Sequence, residues 1–223
     1  MVWVKATYEF ASLFSYRIPD FSSQYALPCL LPGPSTIKLA IVSKAIETTG
    51  KVKEGVKIFR IIKDVEVKIV PPKKIIQTNV LIRRLKKKKE NTGFESTFCI
   101  RGYVYYPEEI NIYLNIPSNV EEVEKILKNI RSFGTSDSLV WCKTITREEP
   151  PYDAIFATEK LERNDNRNVL IIPVKDISPK TKFEDINIYK KRGGKRNNLL
   201  RKFYIIPIHK QSEGKNWIVY DLV

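Results

Sequence analysis

Residues 83–89 read Arg83-Arg84-Leu85-Lys86-Lys87-Lys88-Lys89, six cations in seven positions between two stretches of strand-like sequence. Four adjacent lysines cannot share one face of a helix or strand without strong mutual repulsion, so the segment must stand away from any packed interior. A solvated loop, or a guard that keeps a strand edge from pairing with another chain, would satisfy that requirement. The charge of the whole molecule argues for more. At net +14 and an isoelectric point near 9.6, the segment adds to a general excess of cations, the footprint expected of a nucleic-acid partner.

The rest of the chain has the means to fold around such a projection. Its 223 residues are 43% hydrophobic, enough for one large domain or a principal domain with a smaller companion. The first thirty residues hold no apolar run of signal-peptide length, and no stretch of about 18 uninterrupted apolar residues occurs, which predicts a soluble, cytoplasmic protein with no membrane contact. Cys29, Cys99 and Cys142 are distant from one another and odd in number, so they read as small buried hydrophobes rather than disulfide partners. One Met, three Gln and abundant Lys and Glu lean toward a thermophilic source. A single histidine excludes a multi-histidine metal site, and HExxH, GxSxG, P-loop and GxGxxG signatures are missing. Neither metal nor cofactor is expected.

Residues 1–10 alternate, with Val2, Val4, Ala6, Tyr8 and Phe10 on one face and Trp3, Lys5, Thr7 and Glu9 on the other, the pattern of a strand with one buried face. After an aromatic, Pro-rich loop over 11–34, Ser35 stands where an N-cap would, before a helix that is apolar nearly all round and closes at Gly50. Residues 56–70 read as strand. Pro71-Pro72 then interrupts, and residues 71–98 are expected to form a projecting hairpin too polar to pack, with Asn91-Thr92-Gly93 marking its turn. Strands over 98–106 and 110–116 follow. Ser118-Asn119-Val120-Glu121 is the pattern of a capping box, opening a helix that Gly134 ends, and 139–146 is a further strand. The order β-α-β-β-α-β predicts an α+β fold, a ferredoxin-like or RRM-like domain over 1–148. Beyond Glu148-Glu149-Pro150-Pro151, short apolar runs predict a small β-rich C-terminal domain over 149–223.

Several positions carry candidate chemistry. Lys190-Lys191-Arg192-Gly193-Gly194-Lys195-Arg196 combines five cations with two glycines that allow close approach to a phosphate, so Arg192, Gly193, Gly194, Lys195 and Arg196 are candidate RNA contacts. Arg101-Gly102-Tyr103 opens like the RNP1 pattern of RRM proteins, but Val104 breaks it. His209, the one histidine, is the natural acid–base candidate, yet it ends an alternating apolar run with no carboxylate near it in sequence. Ser35 and Thr36 would offer hydroxyls and amides at a positive helix N-terminus.

The N-terminal strand, the run Tyr25-Ala26-Leu27-Pro28 through Pro32-Gly33-Pro34-Ser35-Thr36-Ile37-Lys38, the buried helix and the long basic hairpin together resemble the Cas five family of CRISPR RAMP proteins, most nearly its archaeal type I-A branch. The resemblance spans residues 1–146 through motif order, and the remainder loosely. It implies an RRM-like domain whose hairpin, the thumb, contacts crRNA, here through Arg83, Arg84, Lys86, Lys87, Lys88 and Lys89. Arg17, Tyr25, Ser35, Thr36 and Lys38 would form a second RNA-facing element. It further implies that the protein holds the 5′ handle of the guide in a Cascade-type antiviral complex, beside backbone and large subunits, with target DNA reached at most indirectly. In the type I-C branch a Tyr/Lys/His group makes the protein a processing ribonuclease. The hairpin here has no histidine, so a non-catalytic, RNA-binding role is the expectation. The rival is a metal-independent endoribonuclease using His209, and a third reading is a basic RNA-binding protein outside CRISPR.

Overall fold

The computed structural model describes residues 1–21, 25–88, 92–161, 168–187 and 199–223. Its organising strand is β1 (Val2–Phe10), whose alternation places Val4, Ala6, Tyr8 and Phe10 in the core as the sequence predicts. Burying large apolar side chains is the main driving force for this arrangement, roughly 1.5–3 kcal/mol for each one fully removed from water. β1 lies between β6 (Ile110–Ile116) and β7 (Val140–Thr146), antiparallel to both. Tyr8 donates from its hydroxyl to the Leu127 carbonyl at 2.8 Å, which satisfies the one polar group it carries into the core.

Helix α1 (Pro34–Thr49) starts two residues earlier than expected. Gly33 is the N-cap and Pro34 takes the first helical position, where its missing N–H costs nothing. Ser35 therefore sits inside the first turn, buried, and is not the cap. Gly50 closes the helix in the left-handed region at φ 66°. The strand expected over 56–70 is corrected to helix α2 (Val52–Ile62) followed by a short β3 (Val67–Val70). Gly55, Ile58, Phe59 and Ile62 fall at i, i+3, i+4 and i+7 and are the buried stripe; this helical period overrides the local alternation of β-branched residues. α3 (Val120–Lys128) ends before Gly134, and Asn119, in the left-handed region, is its N-cap; the Asn119 side chain donates to Glu122 rather than bonding the helix backbone, and the expected capping box does not form.

The sheet is wider than the sequence suggests. Adding β2 (Tyr25–Ala26), β4 (Lys74–Lys87), β5 (Phe94–Tyr105), β8 (Ile155–Thr158), β10 (Leu199–Glu213) and β11 (Trp217–Leu222), its order is β2-β5-β4-β11-β10-β8-β3-β6-β1-β7, with β9 (Val169–Ile177) also paired to β10. The sheet continues across the break expected near residue 148. β8 pairs with β3 and β11 pairs with β4, while Val174, Ile177, Phe183, Tyr204 and Ile206 join the same core cluster as β1 and α1. Residues 183–186 form a short helix, α4 (Phe183–Ile186), within the C-terminal region expected to be β-rich. The molecule is thus an α+β protein built mostly from antiparallel sheet, with few helices. Among the described residues no helix is long and apolar enough to cross a membrane.

Gly102 shows how the pre-helix loop is seated on this sheet. A Cβ there would stand 2.2 Å from Pro28 Cδ and 3.0 Å from the Ala26 carbonyl oxygen, so the loop packs directly on the bare backbone of β5. Gly102→Ala is expected to lower stability by about 1–3 kcal/mol, the usual cost of overpacking. An unchanged denaturant midpoint would show that the loop is free to lift away.

Candidate nucleic-acid interface

From Arg83 to Lys87 the basic segment is strand. β4 and β5 pair antiparallel from Ile76 opposite Tyr105 to Lys87 opposite Phe94, so the ladder runs through Arg83, Arg84, Lys86 and Lys87 and leaves Lys88 at its end. The span expected to project, 71–98, is corrected at its root. Ile75 and Val104 are fully buried, and β11 hydrogen-bonds to β4 from Lys74 to Thr78. The ribbon grows out of the sheet and becomes exposed only beyond that point.

Strand alternation divides its cations between two faces. Arg84 and Lys86 lie on one face, opposite Thr97 and Glu95. Leu81, Arg83, Leu85 and Lys87 lie on the other, opposite Ile100, Phe98, Ser96 and Phe94. On that second face Arg83 is held in place. Its guanidinium carbon is 5.8 Å from the Phe98 ring centroid, and its Nε donates to Ser96 Oγ at 3.0 Å. Phe94 is 66% exposed, Phe98 62% and Leu85 70%, which is unusual for side chains of this size. Arginine laid on an aromatic ring, with a second ring and a lysine along the same ribbon face, is the arrangement that single-stranded nucleic acids meet on stacking platforms. Phe94 and Phe98 were not singled out from sequence. The alternation Phe94-Ser96-Phe98-Ile100 was the available signal, hidden by reading 71–98 as a polar projection.

The pre-helix loop lies against the other side of β5. Phe14 and Val104 exchange backbone hydrogen bonds at 2.8 Å each way, and the Tyr25 backbone pairs with Ile100. Arg17 is exposed, bridged through its backbone to Pro28. The other candidates from this element turn inward: Ser35 and Thr36 are buried, and Lys38 is 1% exposed. Lys38 Nζ donates to Asp176 Oδ1 at 2.8 Å and to the Lys63 carbonyl at 2.9 Å, while Lys202 Nζ reaches the second oxygen of Asp176 at 2.9 Å. Burial lowers the Lys38 amine below its usual value, and Asp176 opposes that shift. Lys38 is a structural cation tying α1 to β9, not a surface contact for RNA.

Lys89, Arg192, Gly193, Gly194, Lys195 and Arg196 lie outside the described residues. His209 is exposed on β10, and the strand register sets Asp221 of β11 opposite it. That carboxylate also faces Lys74, whose Nζ is 3.8 Å from it. Of the cysteines, burial pushes the Cys29 thiol up to about 12, consistent with a small hydrophobe, whereas Cys99 and Cys142 are half-buried.

Fold and surface together define an α+β protein with a broad, largely antiparallel sheet and a cationic ribbon projecting from it. No family model matches the chain. A curated CRISPR-associated protein Cas5 of Archaeoglobus fulgidus is 44% identical over 229 residues, covering 100% of this chain and 99% of that protein. The chain belongs to the CRISPR-associated Cas5 family. The chain also matches a solved structure of a CRISPR protein from Archaeoglobus fulgidus over 100% of its own length and 92% of that chain, at 15% identity and a TM-score of 0.46.

Proposed function

We propose that the protein is a non-catalytic crRNA-binding subunit of a type I-A CRISPR interference complex, holding the 5′ handle of the guide in antiviral defence. The observation that carries this reading is the ribbon, where Arg83, Lys87, Phe94 and Phe98 share one exposed face. Phosphate attraction on such a surface supplies affinity, and splayed bases laid on the rings supply a grip that duplex RNA cannot use. Family membership supports the CRISPR setting. The strand order β3-β6-β1-β7, with α1 and α2 following β1 and α3 following β6, supports the ferredoxin-like reading of the principal part. Backbone and large subunits are the proposed protein partners, and the 71–98 region is the proposed thumb.

The endoribonuclease reading draws on one observation, the register of His209 with Asp221. The two readings part in a single experiment. Protein purified from its native host should carry RNA whose 5′ ends derive from CRISPR repeats, and the purified chain should leave repeat-bearing precursor RNA uncut without added metal. Unrelated cellular RNA in the purified material would point outside CRISPR. Cleavage that is lost in His209→Ala would replace the non-catalytic reading with the enzymatic one.

A further inference from the structure

β4 has a neighbour on both sides only at its root. β11 runs beside it as far as Thr78, which faces Trp217, and the Asn79 amide then donates to the Asn216 carbonyl at 2.8 Å. β4 continues to Lys87, yet beyond Asn79, among the described residues, no strand pairs with the side turned away from β5. Along an antiparallel strand, the N–H and C=O of one residue point to one side and those of the next residue to the other. The Asn79 amide points toward β11, whereas the Lys88 amide points the opposite way and donates to the Gly93 carbonyl at 3.1 Å. The β4–β5 register is unbroken through the ribbon, so Leu81, Arg83, Leu85 and Lys87 turn their backbone groups outward.

An open edge over 81–87 exceeds the roughly 5–6 residues of an ordinary strand, and such an edge is a template for an added one. Chemistry narrows what can add. A second copy of the chain is disfavoured, because pairing two β4 edges would crowd the cations of 83–87 from both copies together. A nucleic-acid backbone does not match the edge either, since the edge alternates donors with acceptors and phosphodiester oxygens only accept. A peptide strand supplies both. The neighbouring side chains specify its sequence. Leu81 and Leu85 are exposed on the aromatic face, and Arg84 and Lys86 stand on the other. Arg84 already draws one carboxylate there, with Asp137 Oδ2 at 4.0 Å.

We infer that this edge docks an extended acidic and apolar segment of a partner protein by strand addition, antiparallel to β4 as β11 is. Its carboxylates would lie beside Arg84 and Lys86, and its apolar side chains beside Leu81 and Leu85, the kinds of cross-strand pair that favour one register. The inference goes beyond RNA binding. It leaves Arg83, Lys87, Phe94 and Phe98 to a nucleotide strand, so the ribbon takes RNA on one face and protein along its edge.

The test uses a capped peptide, Thr-Glu-Val-Glu-Thr-Val-Val, written to run from Lys87 to Leu81, and the full-length protein labelled with nitrogen-15. At a peptide concentration about ten times Kd, amide hydrogen exchange at Leu81, Arg83, Leu85 and Lys87 should slow by about tenfold. A peptide of the same sequence, N-methylated at the residues set opposite Leu85 and Arg83, keeps every charge and should bind far more weakly. Leu85→Pro removes one outward donor at a position where an edge strand tolerates proline. It should weaken the unmethylated peptide about fivefold or more, the effect of one lost hydrogen bond, and leave binding of an oligouridylate unchanged. Equal binding of the two peptides, or unslowed exchange at those amides, would reduce the effect to charge attraction and overturn the docking edge. Loss of oligouridylate together with peptide in Leu85→Pro would assign the edge to RNA and overturn it as well. Wild type that binds peptide but no oligouridylate would overturn the RNA-binding reading and leave the docking edge standing.

Discussion

Replacing Arg83, Arg84 and Lys86 to Lys89 together by glutamine is expected to weaken single-stranded RNA binding severely and to flatten its dependence on salt. Each lost contact to a single-strand phosphate should reduce the slope of log affinity against log salt by about 0.7, so loss of six would remove roughly four units of slope. Stability should change little. The described members of this set are exposed side chains on a ribbon beyond the core, and the one ion pair found there, Arg84 with Asp137 at 4.0 Å, is of the exposed kind that contributes about 0–1 kcal/mol. Affinity titrations at several salt concentrations, set beside a thermal melt, check both halves. A collapsed melting midpoint would mean that the charges serve the fold. An unchanged slope would mean that RNA, if bound, lies elsewhere.

The second large effect is on stability. Asp176→Ala should destabilise the protein by about 3–5 kcal/mol, the range seen when one partner of a buried ion pair is removed and the other is stranded. Asp176 accepts from both Lys38 and Lys202 and also from the Ile177 amide at 2.8 Å, so its loss leaves Lys38 charged and buried with, among the described residues, only the Lys63 carbonyl. The effect depends on pH in a defined direction. Lys38 in the folded state already titrates below its unfolded value of 10.5, so the unfolded chain binds more protons there and stability rises with pH between the two values. Removing Asp176 takes away the group that holds the Lys38 amine up, which extends that window to lower pH. The gap in denaturant midpoint between wild type and variant should therefore narrow from about pH 7 to about pH 9.5. A gap that stays constant would show that Lys38 is not the group left stranded.

How far the sequence could be read depends on the range of the interactions involved. β1 was legible because Val4, Ala6, Tyr8 and Phe10 alternate without interruption, and Gly50 announced its own left-handed cap. α2 was misread because Val56, Ile58 and Ile62 also fit a period of two. Gly55, Ile58, Phe59 and Ile62 carry the competing helical period, and Gly55 belongs to it because it packs on Ile46, where a Cβ would be 2.4 Å from Ile46 Cγ1, a contact no local pattern reveals. Lys38 looked like a surface cation beside a helix N-terminus. Its true partner is 138 residues away on β9, and nothing near Lys38 in sequence hints at a buried carboxylate. The site divides in the same way. The cations were plain from charge alone, but the exposure of Phe94 and Phe98 depends on where the ribbon leaves the sheet. The β4–β11 pairing sets that point, with Thr78 opposite Trp217.

That same pairing places the ribbon's foundation late in synthesis. Thr78 and its partner Trp217 are 139 residues apart, so at about 5–20 residues per second the ribosome needs roughly 7–30 s to deliver β11 after it has delivered this part of β4. Through that interval the nascent lysines and arginines are already displayed while the inner edge of β4 has no neighbour. Sheets closed by such distant partners fold slowly. The order of events on the ribosome thus leaves an unfinished basic strand beside ribosomal and messenger RNA for that interval, before the sheet that fixes its register has closed.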